Sequence, residues 1–398
     1  MLSGQNAGAA ALPAVTLRPR EERDVQEGRL WVFDNEIAGI RGDVQPGGLV
    51  DVFAAKGVFL GRGFCNMRSK IRVRLLTREA EPIDRAFFAH RLARAIDLRR
   101  RLGHFEACRL VYGEADCLPG LTVDRFGDVL VVQIAALGME RFKDVVVDVL
   151  ADLLHPRTIY ERNDLPTREK EGLPQQTGVL YGEEPGLVEI RENGLRVLVD
   201  VVGGQKTGYF LDQRENRAAL APFSSGAVLD CFCHTGGFAL HAARYGADTV
   251  EAVDISSAAL EMVRRNAALN GLANITTTEA NVFDLLKAYQ QEGRQYDLVI
   301  LDPPAFAKSK SALQSAARGY KEINLRGMQL VRPGGFLVTC SCSHFMTPPL
   351  FLDMIKRAAA DVGRTARVLE IRYQAKDHPI GLGAEESLYL KCVILQMD

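Results

Sequence analysis

Residues 228–237 read Val-Leu-Asp-Cys-Phe-Cys-His-Thr-Gly-Gly, an apolar strand followed by a glycine-containing turn and the start of a helix. Asp230 ends the strand, and Thr235 and Gly236 lie in the turn. A carboxylate and the free backbone N–H groups of a helix start therefore face one crevice, which suits a ligand carrying both an ammonium and a carboxylate group. The turn is not a regular G-x-G-x-x-G, and glycine at such a position often has only a steric role.

The alternation of strand and helix becomes regular from residue 227 onward. The pattern predicts strands at 227–230, 249–253, 275–279, 297–301, 335–340, 366–372 and 388–396. Strands that alternate with helices are typical of βαβ units in a parallel sheet. Seven strands, of which the last two form a hairpin, favour the fold of a class I S-adenosylmethionine (AdoMet) methyltransferase over a six-stranded dinucleotide-binding fold.

The chain of 398 residues is longer than one hydrophobic core usually supports, so we expect several domains. Short strand-like pieces between glycine turns predict a small β-barrel within 15–78. A middle α+β domain with a linker helix is predicted over 79–200, and the methyltransferase domain over 201–398. Residues 1–14, which are rich in Ala and Gly, are expected to be disordered.

The charge is nearly balanced over the whole chain but not over its parts. The formal net charge is -1, whereas residues 1–78 carry 12 Lys+Arg against 8 Asp+Glu. Arg68, Lys70, Arg72 and Arg74 follow one another with no acid among them. From charge alone, this stretch is either a site for a polyanion such as RNA or a solvated strand face.

Cysteine usage and hydropathy limit the class of protein. The eight cysteines show no CxxC spacing, and no apolar run reaches the roughly 18 residues that a membrane span needs. We therefore expect a reduced, cytoplasmic protein with no membrane partner.

Acidic and amide side chains also follow the next two predicted strands. Asp254 ends the second strand, 24 residues after Asp230, where an acid can accept both ribose hydroxyls of a nucleoside. Its alternative role is to cap the following helix, although Ser256 or Ser257 could do so instead. Asn281 follows the third strand, and its side-chain carbonyl could accept the adenine amine.

The fourth strand ends in Asp302-Pro303-Pro304-Ala305-Phe306. Two prolines stiffen the backbone after the strand, Phe306 offers a face for stacking, and Asp302 can hydrogen-bond base nitrogens. These are the parts that an enzyme needs to hold a flipped nucleobase. A simple strand-terminating turn also fits the sequence, but it does not account for the acid at the strand tip.

Two thiols lie at the end of the fifth strand, in Thr-Cys-Ser-Cys-Ser at 339–343. Cys340 and Cys342 share one side of the strand, so alternation does not choose between them. Cys340 is nearer the strand body and suited to packing, whereas Cys342 lies in the loop and is the more accessible. A thiolate can add to C6 of a pyrimidine and make C5 nucleophilic. A zinc site formed with Cys231 and Cys233 is disfavoured by the CxC spacing, so we expect no metal.

Several longer motifs resemble the RlmI family of bacterial 23S rRNA cytosine-C5 methyltransferases, and the resemblance covers the chain from about Val15 to its end. The matching stretches are Trp31-Val32-Phe33, residues 112–120 and 123–127, Lys206 to Arg214, Thr235 to Phe238, Asp302 to Pro304, Arg318 to Lys321, Ser341 to Ser343, and Asp377-His378-Pro379. The resemblance implies an N-terminal PUA domain, a middle domain of strands around a helix and a C-terminal Rossmann-like domain.

The resemblance selects Cys342 rather than Cys340 as the nucleophile. With it, we expect AdoMet-dependent methylation of cytosine C5 in 23S rRNA, with Asp302 holding the base and with Phe210 and Gln213 joining the acids around the cofactor. Asn281 stands where the family often has an acid. Methylation of an exocyclic amine, which needs no thiol, remains an alternative, as does a non-catalytic RNA-binding protein. The sequence also leaves open whether the protein is a homodimer.

Overall fold

The computed structural model describes residues 11–307 and 309–398, so most of the segment predicted to be disordered lies outside the described residues. By its internal contacts the chain divides into two compact units. The first comprises residues up to 105 together with 109–185 and 380–385, and the second comprises 106–108, 186–379 and 386–398.

The first part of unit one is a six-stranded sheet in the order β2-β6-β5-β4-β1-β3. Inward-facing side chains such as Val50 and Val52 alternate with half-buried ones along β4, and they form a core with Val15, Val32 and Val73. The alternation arises because successive side chains of a strand point to opposite faces. The elements are β1 (Ala14–Leu17), α1 (Glu22–Gln26), β2 (Trp31–Phe33), β3 (Ile37–Arg41), β4 (Leu49–Phe53), β5 (Phe59–Cys65) and β6 (Ile71–Thr77).

The rest of unit one contains a long helix and a five-stranded sheet in the order β11-β10-β9-β8-β7. Asp84 caps the long helix by accepting the N–H of Phe87 at 3.0 Å, and three arginines in its last turn suit the negative end of the helix dipole. The elements are α2 (Arg85–Arg101), β7 (Ala107–Tyr112), β8 (Leu121–Phe126), β9 (Val129–Ile134), α3 (Leu137–Glu140), α4 (Lys143–Leu154), β10 (Thr158–Asn163), α5 (Thr167–Glu171) and β11 (Gln176–Gly182).

Unit two begins with an antiparallel hairpin that turns at Asn193 and Gly194, as the sequence predicts. Its strands are β12 (Leu187–Glu192) and β13 (Leu195–Asp200). Asn266 accepts the N–H of Leu198 at 2.8 Å, so the hairpin is attached to a helix of the methyltransferase part. The division into domains at 15–78, 79–200 and 201–398 stays a prediction. The hairpin itself belongs to unit two.

The main sheet of unit two has seven strands in the order β16-β15-β14-β17-β18-β20-β19, and β20 alone is antiparallel to its neighbours in it. The strands are β14 (Ala227–Cys231), β15 (Thr249–Asp254), β16 (Ile275–Glu279), β17 (Tyr296–Leu301), β18 (Val331–Ser341), β19 (Ala366–Arg372) and β20 (Lys391–Met397). The predicted seven-stranded fold is therefore confirmed. Its strand order reverses between β14 and β17, and parallel sheets bind ligands at the carboxyl ends of the strands at such a point.

Helices cover both faces of this sheet, and a separate apolar core lies on each face. One core includes Leu286, Tyr320 and Phe351, and the other includes Phe238 and Leu260. Burial on both faces explains why the central strands are almost continuously apolar. The helices are α6 (Arg214–Ala218), α7 (Gly237–Tyr245), α8 (Ser257–Leu269), α9 (Val282–Gln291), α10 (Leu313–Leu330) and α11 (Pro348–Val362).

Candidate active site

Three carboxylates, those of Asp230, Asp254 and Asp302, lie at the carboxyl ends of β14, β15 and β17. Asp230 accepts the N–H of Ala239 at 2.8 Å through Oδ2. Its other oxygen is buried and has no hydrogen-bond partner among the described residues. Burial, together with the negative charges of Asp302 and Asp254, raises the pKa of Asp230 well above its usual value. The crevice therefore has an unused buried acceptor and an excess of acid, which fits a cationic ligand such as the ammonium and sulfonium of AdoMet.

Asp254 is held at the tip of β15 by the two loops beside it. One carboxylate oxygen accepts the N–H of Ser256 and the other accepts that of His234, both at 2.9 Å. The cap of α8 is the Ser256 hydroxyl, which accepts the N–H of Ala259 at 3.2 Å. Because capping falls to Ser256, the carboxylate of Asp254 remains suited to the predicted ribose contact.

The turn between β14 and α7 has an unusual backbone. Phe232 and His234 have positive φ angles of 62° and 49°, which residues other than glycine seldom adopt. Gly236 has a φ of 86° and precedes α7 without a side chain to cap it. A Cβ at Gly237 would lie 3.1 Å from the side chain of Arg217. The glycines therefore let the start of α7 approach its surroundings closely, and the N–H of Ala239 in its first turn donates to Asp230.

A buried ion pair holds the segment that precedes α6. Arg217 donates to both carboxylate oxygens of Glu192 at 2.6 and 2.8 Å, and to the carbonyl of Phe210 at 2.9 Å. The hydroxyl of Tyr209 donates to the same carboxylate at 3.0 Å. Glu192 belongs to the β12–β13 hairpin, so this hairpin fixes the backbone at Phe210 beside the crevice.

Phe210 and Gln213 lie together with the predicted cofactor residues. The ring of Phe210 meets the His234 ring edge to face, with centroids 4.9 Å apart, and the ammonium of Lys206 lies 4.6 Å from the Phe210 centroid. The side-chain amide of Gln213 donates to Asp302 at 3.0 Å. Thr235 contacts the His234 ring, with 3.3 Å between Oγ1 and Nδ1. Burial lowers the pKa of His234 to about 4, so its ring is neutral at neutral pH.

Asn281 has a local role that the sequence analysis did not assign to it. Its side-chain oxygen accepts the N–H of Phe283 at 2.9 Å and so caps α9. This is the oxygen to which the adenine contact was assigned, and the contact stays a prediction for its second lone pair.

The two thiols at the end of β18 have different surroundings. Cys340 is fully buried within the sheet, where it pairs in register with Cys392 of β20. Cys342 lies just beyond the last residue of the strand and is partly exposed, and its S–H donates to the carbonyl of Pro303 at 3.8 Å. Cys342 is thus the more accessible of the two thiols, and its role as the nucleophile stays a prediction.

Asp302 lies among groups that disfavour its charge. Burial, followed by the negative charge of Asp212, raises the pKa of Asp302 to about 7. Part of the carboxyl population is therefore protonated at neutral pH and can donate a hydrogen bond. Burial also raises the pKa of Cys342 to about 11, while the positive charge of Lys206 opposes this rise.

Pro303 and Phe306, which follow Asp302 and are expected to contact the substrate base, are only partly accessible to it. Pro303 is buried, and its carbonyl accepts the Cys342 thiol. The Phe306 ring packs at 4.6 Å against Tyr320 and at 5.9 Å against Phe283, measured between centroids. Because Phe306 remains half-buried rather than fully covered, its contact with a base stays a prediction.

The basic stretch of unit one spans a turn and a strand: Arg68 and Lys70 lie in the turn between β5 and β6, whereas Arg72 and Arg74 lie on β6. Arg68 and Lys70 are exposed, whereas Arg72 and Arg74 are half-buried. Arg74 pairs with Glu114 and Glu171 at 3.2 and 3.3 Å and lies over the ring of Trp31, and Arg72 lies 4.0 Å from Asp34. The charges of Arg72 and Arg74 are thus partly balanced within the protein. The contact of Arg68, Lys70, Arg72 and Arg74 with RNA stays a prediction.

Several residues near the crevice were not assigned a role from the sequence. They are Glu192, Lys206, Asp212, Arg217, His234 and Lys391. Lys206 and Asp212 lie within a quoted motif, and His234 lies in the opening stretch, so their positions could have suggested a role. No local pattern marks Glu192, Arg217 or Lys391.

Neither a metal site nor a membrane span is found in the described part of the chain. No group of three or more His, Cys, Asp or Glu side chains there is arranged to hold a metal ion. Within residues 11–307 and 309–398, no helix is both long and apolar enough to cross a bilayer.

The fold, its switch-point acids and the unused oxygen of Asp230 define an AdoMet-dependent methyltransferase. A family model described as an S-adenosylmethionine-dependent methyltransferase matches residues 172–382, and one described as a PUA-like domain matches residues 15–78. The chain is 45% identical over 391 residues to ribosomal RNA large subunit methyltransferase I of Shewanella amazonensis, covering 96% of this chain and 99% of that protein. It is 41% identical to the protein of the same name from Alteromonas mediterranea, covering 96% and 98%. The chain belongs to the family of ribosomal RNA large subunit methyltransferase I.

Solved structures agree with this fold. A proposed SAM-dependent methyltransferase from Streptococcus mutans superposes with a TM-score of 0.83 at 22% identity, covering 96% of this chain and 99% of that one. A further proposed methyltransferase, solved in complex with SAH, superposes with a TM-score of 0.84, also at 22% identity. At this identity, the likeness supports the fold alone.

Proposed function

We propose that this protein methylates C5 of a cytosine in the 23S rRNA of the large ribosomal subunit, in the cytoplasm, through a covalent bond between Cys342 and C6 of the base. The names of the relatives given above describe methyltransferases of large-subunit ribosomal RNA, which supports the substrate class. The observation that carries the C5 chemistry is the contact of the Cys342 thiol with the Pro303 carbonyl, directly beside Asp302 and the cofactor acids.

The residues present suit each step of this chemistry. A thiolate at Cys342 adds to C6 of cytosine, and the electron pair of the C5–C6 double bond moves toward N3. Asp302, with a pKa of about 7, can donate its proton to N3 and accept the exocyclic amine. AdoMet supplies a methyl group on a sulfonium, which the electron-rich C5 accepts. Loss of the C5 proton to a base and return of the N3 proton to Asp302 then restore the C5–C6 double bond as the thiolate leaves.

The neutral form of Asp302 explains how one carboxyl can serve this base. Cytosine offers an acceptor at N3 and a donor at its amine, so a protonated carboxyl with one O–H and one carbonyl oxygen matches both. Gln213 holds the Asp302 carboxyl through its Oδ1. The same pairing also suits amine methylation, and only the thiol separates the two chemistries.

We propose further that the PUA-like region contributes to RNA binding through Arg68 and Lys70. Both are exposed and belong to the N-terminal region, which has the basic excess in the sequence. Phosphate contacts of this kind would position the rRNA without selecting a base. Light scattering of the protein–RNA complex would detect a homodimer as a doubled protein mass.

The test of the C5 chemistry is trapping on RNA that contains 5-fluorocytosine. Fluorine at C5 cannot leave as a proton does, so we expect the wild-type protein to form an RNA adduct that survives denaturation. Cys342→Ala should form no adduct and no methylated product. Cys340→Ala is the matched control and should retain both, with a loss of stability of about 1 kcal/mol from its small cavity. Methylation by Cys342→Ala at the wild-type rate would reject the covalent mechanism in favour of amine methylation.

A further inference from the structure

Lys391 is a buried lysine that lies directly behind the Cys342 loop. Its strand, β20, pairs antiparallel with β18, and Lys391 stands opposite Ser341, the residue before Cys342. The side chain is 1% exposed. Its ammonium donates to the carbonyl of Ser343 at 2.6 Å and to that of Tyr389 at 2.7 Å. The loop that carries Cys342 is therefore held by β20 on both sides of the thiol.

The charge of Lys391 needs a further explanation. These two carbonyls are its hydrogen-bond partners, and it forms no ion pair with any residue in the described ranges. Burying a charge without a counter-charge is costly, and carbonyl dipoles offset that cost only in part. A purely structural tie between two carbonyls could be made by a neutral amide, which carries no such cost. A charged lysine at position 391 is therefore better explained if a nearby group becomes an anion.

We infer that Lys391 is a positioning residue for Cys342. Its buried ammonium holds the nucleophile loop and, together with Lys206, supplies positive charge beside the thiolate as it forms. The inference rests on the proposed function, because only C6 addition requires the thiolate. When the thiol ionises, its proton leaves to solvent, the electron pair stays on Sγ, and the ammonium keeps its own protons. The base then reacts with a nucleophile whose charge is already compensated.

The electrostatic surroundings of Cys342 support this role. Burial disfavours the thiolate most, and Lys206 of the loop before Tyr209 is the charge that favours it most. Asp302 after β17 and Asp212 disfavour the thiolate, and Lys391 of β20 favours it to a smaller extent than Lys206. The buried phenol of Tyr320 on α10 also interacts electrostatically with the thiol. Burial lowers the pKa of Lys391 to about 8, and the negative charge of a Cys342 thiolate opposes this decrease. The lysine and the thiol therefore stabilise each other's charged forms.

The test is the pH dependence of Cys342 alkylation by iodoacetamide, followed by mass spectrometry of the Cys342 peptide. Lys391→Gln keeps an N–H donor for the carbonyls but removes the charge. We expect its profile to shift upward by about one pH unit, so that alkylation at pH 7.5 slows about tenfold. The exposed Lys376 gives the control, because Lys376→Gln removes the same charge at the surface. An unshifted profile in folded Lys391→Gln would overturn the inference.

A readout from methylation separates positioning from a merely structural effect. For Lys391→Gln we expect kcat on rRNA to fall about tenfold at pH 7.5 and to recover toward pH 9, with the KM for AdoMet unchanged. Loss of kcat by an equal factor at every pH would indicate a structural role only. If wild type forms the fluorocytosine adduct while Lys391→Gln behaves like wild type, this inference fails and the proposed function stands.

A second variant keeps the charge at this position. Lys391→Arg retains a cation with N–H donors for the two carbonyls, so we expect the folded protein to alkylate Cys342 at pH 7.5 at a rate close to that of the wild type. A rate in Lys391→Arg as low as that of Lys391→Gln would contradict the role of the charge.

Discussion

Replacing Asp254 by alanine tests the cofactor site most directly. In the structure the Asp254 carboxylate is fixed by the N–H groups of His234 and Ser256, and each oxygen keeps a further lone pair for a ribose hydroxyl. Hydrogen bonds to a charged group contribute about 1.5–3 kcal/mol. We therefore expect Asp254→Ala to weaken AdoMet binding about 10- to 150-fold, as measured by isothermal titration calorimetry.

Two companion variants make that measurement specific. Asp254→Asn keeps one carbonyl oxygen and should lose less affinity than Asp254→Ala. Asp248→Ala removes an exposed acid just before the other end of β15, roughly 20 Å away along the strand, and should bind AdoMet like wild type. Thermal unfolding without AdoMet shows whether each variant is folded and as stable as the wild type. Unchanged affinity in a folded Asp254→Ala protein would remove Asp254 from the site.

Two other predictions concern RNA binding and the buried ion pair. Substituting both Arg68 and Lys70 with alanine should flatten the salt dependence of rRNA binding by about one to two in the log–log slope. The exposed Lys56→Ala is the control, and equal slopes in the double variant and the wild type would show that the turn before β6 is only solvated. Glu192→Gln leaves Arg217 buried without its counter-charge and should cost about 3–5 kcal/mol in urea unfolding. Glu189→Gln, which breaks an exposed pair on the same strand, should unfold like wild type, and a similarly small effect at Glu192 would contradict the argument.

The positions of the strands along unit two were predictable because their signals are local. The predicted bounds of the seven strands lie within a few residues of the observed ones, and the largest differences are that β18 starts at Val331 rather than 335 and β20 at Lys391 rather than 388. The β18 difference arises around Gly334 and Gly335, where the pairing with β17 is irregular. Such an irregularity depends on the neighbouring strand and leaves little trace in hydropathy.

The roles of individual polar side chains were less predictable. Asn281 has a cap role because the backbone N–H of Phe283 needs an acceptor at the start of α9. Arg74 looked free in a basic stretch, yet its acids come from residues 40 and 97 positions further along the chain. A sequence pattern identifies which residues can ionise, but the nearest counter-charge depends on the tertiary structure.

The sequence by itself determined the order of strands and helices, and with it the placement of Asp230, Asp254 and Asp302 at one edge of the sheet. That placement follows from short-range periodicity and from the general rule that parallel strands end at a common edge. Only the tertiary structure decided that Cys340 is enclosed opposite Cys392 while Cys342 faces Pro303. It also decided that Lys391, 48 residues after Ser343, supports the nucleophile loop. Such contacts depend on which strands pair and in which register, and hydropathy along one strand carries no record of the side chains that its neighbours bring beside it.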